Sequence, residues 1–252
     1  MDDLFGGAAP YYARHRADHG EAAIDRLAAA FGARATVLDL GCGPGTVAIP
    51  LSEQVGGVLA VDPAEEMLAE GRKLGAGRAN IRWLAGDSTT LRELPGFGHV
   101  VMGRSFHWMD RRTVLADLDD LLPPDGIVAL VGPTRDHENL PWEPVTRRVR
   151  EEFGVNGLTA RDSFQASGKH HDEVLADSPF GVLEAEVFTW RRDRDQDDVI
   201  GLQLSYSYSA PARLGERKDV FVGALRAALT AANPSGRWVE EVRTQVLLAR
   251  RP

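Results

Sequence analysis

Hydrophobic and polar positions alternate between two periods along the first half of the chain. Residues 18–32 place Ala22, Ile24, Leu27, Ala28 and Phe31 at helical spacing and stop at Gly32. The run ATVLDL (35–40) is short and apolar, which predicts a strand buried on both faces. The pattern then predicts a helix over 46–55, with Pro50 tolerable only near its start. A strand follows over 57–62, and a helix over 63–74 with Pro63 and acidic residues in its first turn. Further strands are predicted over 80–87, 99–105 and 126–132. A helix over 111–122 separates the last two and is stopped by Pro123 and Pro124. Asp110 stands at the N-cap position of that helix.

The second half is less regular. Helical stretches are predicted near 142–153, 170–177, 196–208 and 216–231. Strand patterns lie over 182–190 and 237–251. The section between the fifth and sixth strands is too long for a connecting loop. It reads as a helical cap over residues 133–181, inside a single domain spanning 1–252. The other parts of that domain are a helical lid (1–34), a half built of alternating strands and helices (35–132) and a closing part of the sheet (182–252). Strand and helix in alternation give a parallel sheet wrapped by helices, and ligands bind outside the carboxyl ends of such strands. The residues of interest therefore end strands: Asp39 to Gly45, Asp62, Asp87, and Arg104 to Trp108.

Composition narrows the classes. A hydrophobic fraction of 43% and a charged fraction of 26% over 252 residues are those of an ordinary globular protein. No apolar run approaches the roughly 20 residues of a membrane span. The acidic N-terminus lacks the basic and apolar regions of a secretory signal. A net charge of −8 disfavours binding to phosphate backbones. The basic runs at 146–150 and 190–195 carry acidic neighbours and read as solvated faces. One cysteine, Cys42, excludes an internal disulfide and fits a reducing cytoplasm. A monomer or homodimer without nucleic-acid or membrane partners is expected.

The stretch VLDLGCGPG (37–45) is the chemically richest. A dinucleotide-binding turn wants G-x-G-x-x-G, but the third position here is Thr46, and the glycines read G-x-G-x-G at Gly41, Gly43 and Gly45. Asp39, two residues ahead, is unhelpful to a diphosphate and welcome to an ammonium group. These features oppose a dehydrogenase.

VLDLGCGPG resembles the first motif of class I S-adenosylmethionine-dependent methyltransferases. VLAVDPAEEMLAEGRK resembles their second-strand motif, whose acidic residue holds the ribose hydroxyls, here Asp62. NIRWLAGDSTTL resembles the third-strand motif, with Asp87 near the adenine amino group. SFHWMDR is similar to the H-W-[FM]-D segment of the branch that includes trans-aconitate methyltransferase. The resemblance covers residues 11–132 and weakens beyond Pro133. It implies a doubly wound, Rossmann-like sheet of seven strands, mostly parallel with the last antiparallel, and a helical cap between strands 5 and 6. It also implies S-adenosylmethionine as cofactor and S-adenosylhomocysteine as product. The cofactor site it implies comprises Asp39, Gly41, Cys42, Gly43, Gly45, Asp62, Pro63, Met67, Gly86, Asp87, Ser88, Arg104, Ser105 and Phe106. Met67 and Phe106 would pack on the adenine ring, with Cys42 as a small packed residue. Relatives fold an N-terminal segment over the cofactor, which adds Tyr12 and Arg16 at the methionine end.

Methyl transfer is an in-line displacement at a sulfonium-bound methyl, so the protein mainly aligns the acceptor and excludes water. A base is needed where a hydroxyl must lose its proton. His107 follows the fourth strand and is the expected catalytic base. Tyr11, Trp108, His171 and Tyr206 are the expected substrate contacts. Adjacent histidines diverge on a helix and no third ligand is spaced for a metal, so none is expected at His170 and His171. The reading is a small-molecule methyltransferase favouring oxygen, with a place in secondary metabolism. The alternatives are a methyltransferase acting on RNA or protein, and a non-catalytic cofactor-binding module. No Asn/Asp-Pro-Pro-Tyr segment follows the fourth strand, where base N-methylating enzymes commonly carry one.

Overall fold

The computed structural model describes residues 5–16, 18–134, 140–155 and 168–252. Of the cap expected over 133–181, residues 135–139 and 156–167 lie outside the described residues. Seven strands form one sheet: β1 (Thr36–Leu40), β2 (Gly57–Asp62), β3 (Ile81–Ala85), β4 (His99–Gly103), β5 (Val128–Pro133), β6 (Val182–Asp195) and β7 (Arg237–Arg250). Their order is β3-β2-β1-β4-β5-β7-β6. β1 pairs parallel with β2 and β4, β2 with β3, and β4 with β5. β7 runs antiparallel to β5. The order reverses between β1 and β4, and doubly wound sheets bind ligands outside the carboxyl strand ends at such a switch point.

The helices are α1 (Ala9–His15), α2 (Glu21–Phe31), α3 (Ala48–Leu51), α4 (Glu65–Leu74), α5 (Arg111–Leu121), α6 (Glu143–Glu152), α7 (His171–Ala176), α8 (Gln196–Leu204), α9 (Pro211–Leu214) and α10 (Lys218–Ala232). None among the described residues is long and apolar enough to cross a membrane. The described residues fall into two compact units. A sheet unit holds 18–134, 168–188 and 244–252, and a helical unit holds 5–16, 140–155 and 189–243.

In the sheet unit, the period of two along β1 sends Val37 to one face and Leu38 and Leu40 to the other. Val37, Val58, Val101 and Ala129 pack with Leu27 and Leu51 from α2 and α3. Leu38, Leu59, Val100 and Val128 pack with Leu115 and Leu118 from α5 and with Phe180. Both faces are covered at β1, β2, β4 and β5, which is why these strands are mostly apolar. Asp110 caps α5 as expected, its carboxylate accepting from Thr113 N at 3.2 Å. At the other end of α5, Arg251 donates to the carbonyls of Asp119 (2.6 Å) and Pro123 (2.8 Å). Carbonyls near that helix end so gain partners.

Some elements differ from the pattern reading. The helix expected over 46–55 is only α3. Pro50 brings no N–H, Ser52 Oγ donates to Ile49 O at 2.7 Å, and the chain continues through tighter three-residue turns. Ala23 rather than Ala22 is buried in α2, together with Ala28. β6 runs on past 190 to Asp195, which then caps α8 by accepting from Asp198 N. The helix expected over 196–208 stops at Leu204, where Ser205 Oγ and Ser209 Oγ claim the carbonyls of Leu202 and Gln203.

The helical unit packs Trp142, Val149, Val199, Leu202, Phe221 and Leu225 in one core. Two guanidinium groups are buried beside it. Arg194 Nε donates to Glu240 Oε2 at 2.6 Å, and its Nη1 to His15 O at 2.7 Å. Arg150 donates to Gln203 Oε1 and Glu143 Oε1, both at 2.6 Å.

Trp83 of β3 occupies a seat cut by three glycines. A Cβ at Gly45, Gly71 or Gly75 would lie 2.6, 2.4 or 3.2 Å from its indole. Gly71 is inside α4, where glycine costs about 1 kcal/mol against alanine. The seat reverses that sign. Gly71→Ala is expected to lower stability by about 1–3 kcal/mol through overpacking, read as a fall in thermal midpoint. An unchanged or raised midpoint would show that Trp83 yields freely.

Candidate functional site

Three positive-φ glycines carry the chain from β1 into α3: Gly41 (+73°), Gly43 (+53°) and Gly45 (+87°). They do different work. A Cβ at Gly41 would stand 2.5 Å from Ser105 Cβ, so this glycine lets the turn after β1 touch the turn after β4. Gly45 makes room for Trp83 and Ile49. Gly43 alone meets nothing within 4 Å. Its Cα faces open space at the end of the sheet.

Two carboxylates hold this turn. Asp39 is 1% exposed, and its Oδ2 accepts from Ala48 N, the start of α3, at 3.0 Å. Its Oδ1 is buried with no hydrogen-bond partner. Burial raises its pKa to about 7, offset in part by the Ala48 amide, with Asp62 adding repulsion. Asp62, at the end of β2, accepts from Gly43 N at 2.8 Å and from Ala64 N at 2.9 Å. Burial raises its pKa too, against the lowering effect of those two amides. Each Asp62 oxygen thus spends one lone pair on backbone and keeps one. Gly41 N and Cys42 N complete the pinning by donating to Val61 O. The Cys42 thiol is buried and its pKa is pushed up by burial and by Asp39 and Asp62, which disfavours the nucleophilic thiolate.

The end of β3 supplies Gly86, Asp87 and Ser88, all half-buried. Asp87 Oδ1 accepts from Thr89 N and Thr89 Oγ1, which closes the loop on itself. Met67, in the first turns of α4, is buried, and Pro63 is exposed.

The end of β4 is strained. Arg104 takes φ +56°, costly for a residue with a Cβ, and its Nη2 donates to Asp18 O at 3.4 Å. Ser105 Oγ donates to Leu40 O at 2.6 Å. A helical turn follows at Phe106–Trp108. Phe106 is buried in the apolar cluster on the α5 face and lies 5.2 Å from the His171 ring. His107 and Trp108 are half-buried with ring centroids 4.9 Å apart. His171, the first residue of α7, stacks on His107 at 6.3 Å and 22°. The structure so brings together two expected residues from distant positions, His107 and His171.

Arg111 is a member of this cluster that sequence reasoning missed. It donates to His171 Nδ1 at 3.2 Å and to Lys169 O at 3.0 Å. The available signal was its position: an arginine at the first turn of a helix opposes the dipole and needs a reason. His19 was also missed. It is wholly buried, neither ring nitrogen has a hydrogen-bond partner, and it lies beside Gly103 at the end of β4. Burial and the Arg104 charge drive its pKa well below the usual imidazole value, so it is neutral.

The remaining expected residues belong to the helical unit. The Arg16 guanidinium lies 5.0 Å from the Tyr12 ring and 4.2 Å from that of Tyr206. Tyr206 stacks on Tyr208 at 5.0 Å, and Arg150 lies 5.5 Å beyond. Tyr11 stands apart from this column, between His15 and Lys218.

Residues 37–126 match the methyltransferase domain family. Over 220 residues the chain is 31% identical to an uncharacterized methyltransferase of Mycobacterium tuberculosis, covering 85% of this chain and 82% of that one. A second methyltransferase of that organism is 41% identical over 98 residues, 38% of this chain and 49% of its own. Solved structures that share the fold include two SAM-dependent methyltransferases. A SAM-dependent methyltransferase from Thiobacillus denitrificans, in complex with S-adenosyl-L-homocysteine, aligns over 100% of this chain and 99% of its own, with TM-score 0.57 and 16% identity. One from Geobacter sulfurreducens, also in complex with S-adenosyl-L-homocysteine, gives the same coverage with TM-score 0.55 and 17% identity. With the 31% identity extending over most of both chains, this protein belongs to the class I S-adenosylmethionine-dependent methyltransferase family.

Proposed function

We infer that this protein transfers a methyl group from S-adenosylmethionine to the oxygen of a small-molecule acceptor in the cytoplasm. The observation that carries the reading is one juxtaposition at the end of the sheet: the turn holding the open Gly43 packs, through Gly41 and Ser105, against the turn holding His107.

The residues present fit the cofactor. Open space stands where a Cβ on Gly43 would point. Asp62 keeps lone pairs for a diol, and Asp87 spends only Oδ1 on its own loop. Gly43, Asp62, Pro63, Met67, Asp87 and Ser88 would hold it. The assignment of Tyr12 and Arg16 to its methionine end rests on the sequence resemblance alone. When bound, S-adenosylmethionine supplies a methyl made electrophilic by its sulfonium. His107 then has one task, to accept the proton of an acceptor hydroxyl so that the oxygen lone pair is free to attack. Trp108, beside it, narrows the space and excludes water. His171 offers a second polar contact on the acceptor side.

Two predictions follow the two halves of the site. Gly43→Val, a β-branched residue forced to positive φ in the ligand space, is expected to abolish S-adenosylmethionine binding in calorimetry. Asp62→Ala is expected to weaken it by about 1.5–3 kcal/mol, the worth of a charged hydrogen bond, and to lower the thermal midpoint because the Gly43 amide is released. Wild-type affinity in Gly43→Val, or tight binding of NAD with none of S-adenosylmethionine, would sink the assignment.

His107→Ala is expected to lower turnover roughly 10²–10⁴-fold with cofactor affinity nearly intact. Wild-type rate should rise with pH as the imidazole loses its proton and then level off. A carboxylate acceptor, already ionised at pH 7, needs no base. A flat or falling profile above pH 6 would therefore turn the assignment from hydroxyl to carboxylate and shift the burden to an arginine such as Arg104.

A further inference from the structure

Arg111 follows the N-cap Asp110 directly and is buried. A cation at a helix N-terminus is repelled by the dipole, and burial pulls its pKa down. Its guanidinium turns away from its own helix. Nη1 reaches Lys169 O and His171 Nδ1, 58 and 60 residues along the chain. Guanidinium has donors only and does not deprotonate in proteins. His171 Nδ1 must therefore be the acceptor, its lone pair free of a proton. The one proton of the neutral ring then sits on Nε2.

The surroundings hold the ring neutral. Burial, His107, Arg111 and His170 lower the pKa of His171 to about 4, against an opposing pull from Asp172. Phe106 covers it at 5.2 Å. The His107 ring stands near-parallel at 6.3 Å. That separation of ring centres is within the span of a single oxygen hydrogen-bonded to both rings at about 2.8 Å.

We propose that Arg111 is a positioning residue for methyl transfer: it presents His171 as an Nε2–H donor that holds the acceptor oxygen beside His107. The acceptor hydroxyl takes a hydrogen bond from His171 on one lone pair and gives its proton to His107. Its other lone pair is left to form the new bond to the methyl carbon. The carbon–sulfur bond breaks with its electron pair kept by the departing thioether, and the proton remains on His107 for release to solvent. His171 and Arg111 exchange no proton. The division of labour is enforced because two adjacent imidazoles cannot both carry charge cheaply. This rests on the reading of His107 as the base for a hydroxyl.

Side-chain ¹⁵N NMR of the full chain tests it. In the wild-type protein His171 is expected as the Nε2–H tautomer, unprotonated on Nδ1, from pH 8 to about 5. The sign follows from its lowered pKa: the ring charges only as pH falls toward about 4. Arg111→Met should mix the two tautomers, move the titration upward, and lower kcat about tenfold with KM little changed, as for outer-shell partners that orient an imidazole. Arg111→Lys, which keeps a donor, should restore the tautomer and part of kcat. An Nδ1–H tautomer in the wild type overturns the proposal. So does an Arg111→Met protein whose His171 signature and titration match the wild type. If Arg111→Met does not fold, the wild-type tautomer and Arg111→Lys still decide. Full turnover in His107→Ala overturns the base reading, while the ring signature separately reports the hold of Arg111 on His171.

Discussion

The double acceptance by Asp62 is the constraint on which the site depends. Its carboxylate takes the amide of Gly43 on one oxygen and that of Ala64 on the other. One side chain thus fixes the turn after β1 to the turn after β2. Asp39 does the same between β1 and the start of α3. Both carboxylates are nearly buried, and burial disfavours their charge. The amides offset that cost, at about 1.5–3 kcal/mol for a hydrogen bond to a charged group. The result is a rigid glycine turn whose backbone cannot relax into the space that Gly43 leaves open.

The rest of the site follows from this turn by contact. Gly41 admits Ser105, and Ser105 Oγ closes on Leu40 O. The chain then makes the single helical turn that carries Phe106, His107 and Trp108. Asp110 starts α5 immediately afterwards, which places Arg111 under His171. Four consecutive local decisions therefore set where an imidazole stands relative to the glycine turn. The strain at Arg104 belongs to the same passage, where β4 must end abruptly to let the turn form.

The helical unit is held by a different kind of interaction. Two of its guanidinium groups, Arg150 and Arg194, are buried beside aromatic rings. Arg194 is paired with Glu240 and lies 5.7 Å from Trp142, and Arg150 is paired with Glu143 and Gln203 near Tyr208. A guanidinium tolerates such burial because its flat face stacks while its edge donates. Breaking such a pair leaves an uncompensated charge, so the conformation of this unit is strongly specified even where its helices are short.

Much of this was legible in the sequence. Period-two apolar runs and helical spacing placed β1, β2, α4, β4, α5 and β5 close to their observed bounds, because buried side chains must face a core in either element. Strand ends rich in Gly and Asp marked the site for the same reason: only there does backbone come to the surface of a doubly wound sheet. The Asp110 cap was readable because its acceptor is three residues away. Tertiary structure decided what local spacing does not encode. It cut the helix after the glycine turn to α3, separated the open Gly43 from the packed Gly41 and Gly45, and turned Asp39 inward to the backbone. It also joined His107, Arg111 and His171 across about sixty residues. The reason is physical. Periodicity reports which side of an element is buried, whereas the partner that a buried polar atom finds depends on how distant segments pack. No window of sequence contains that packing.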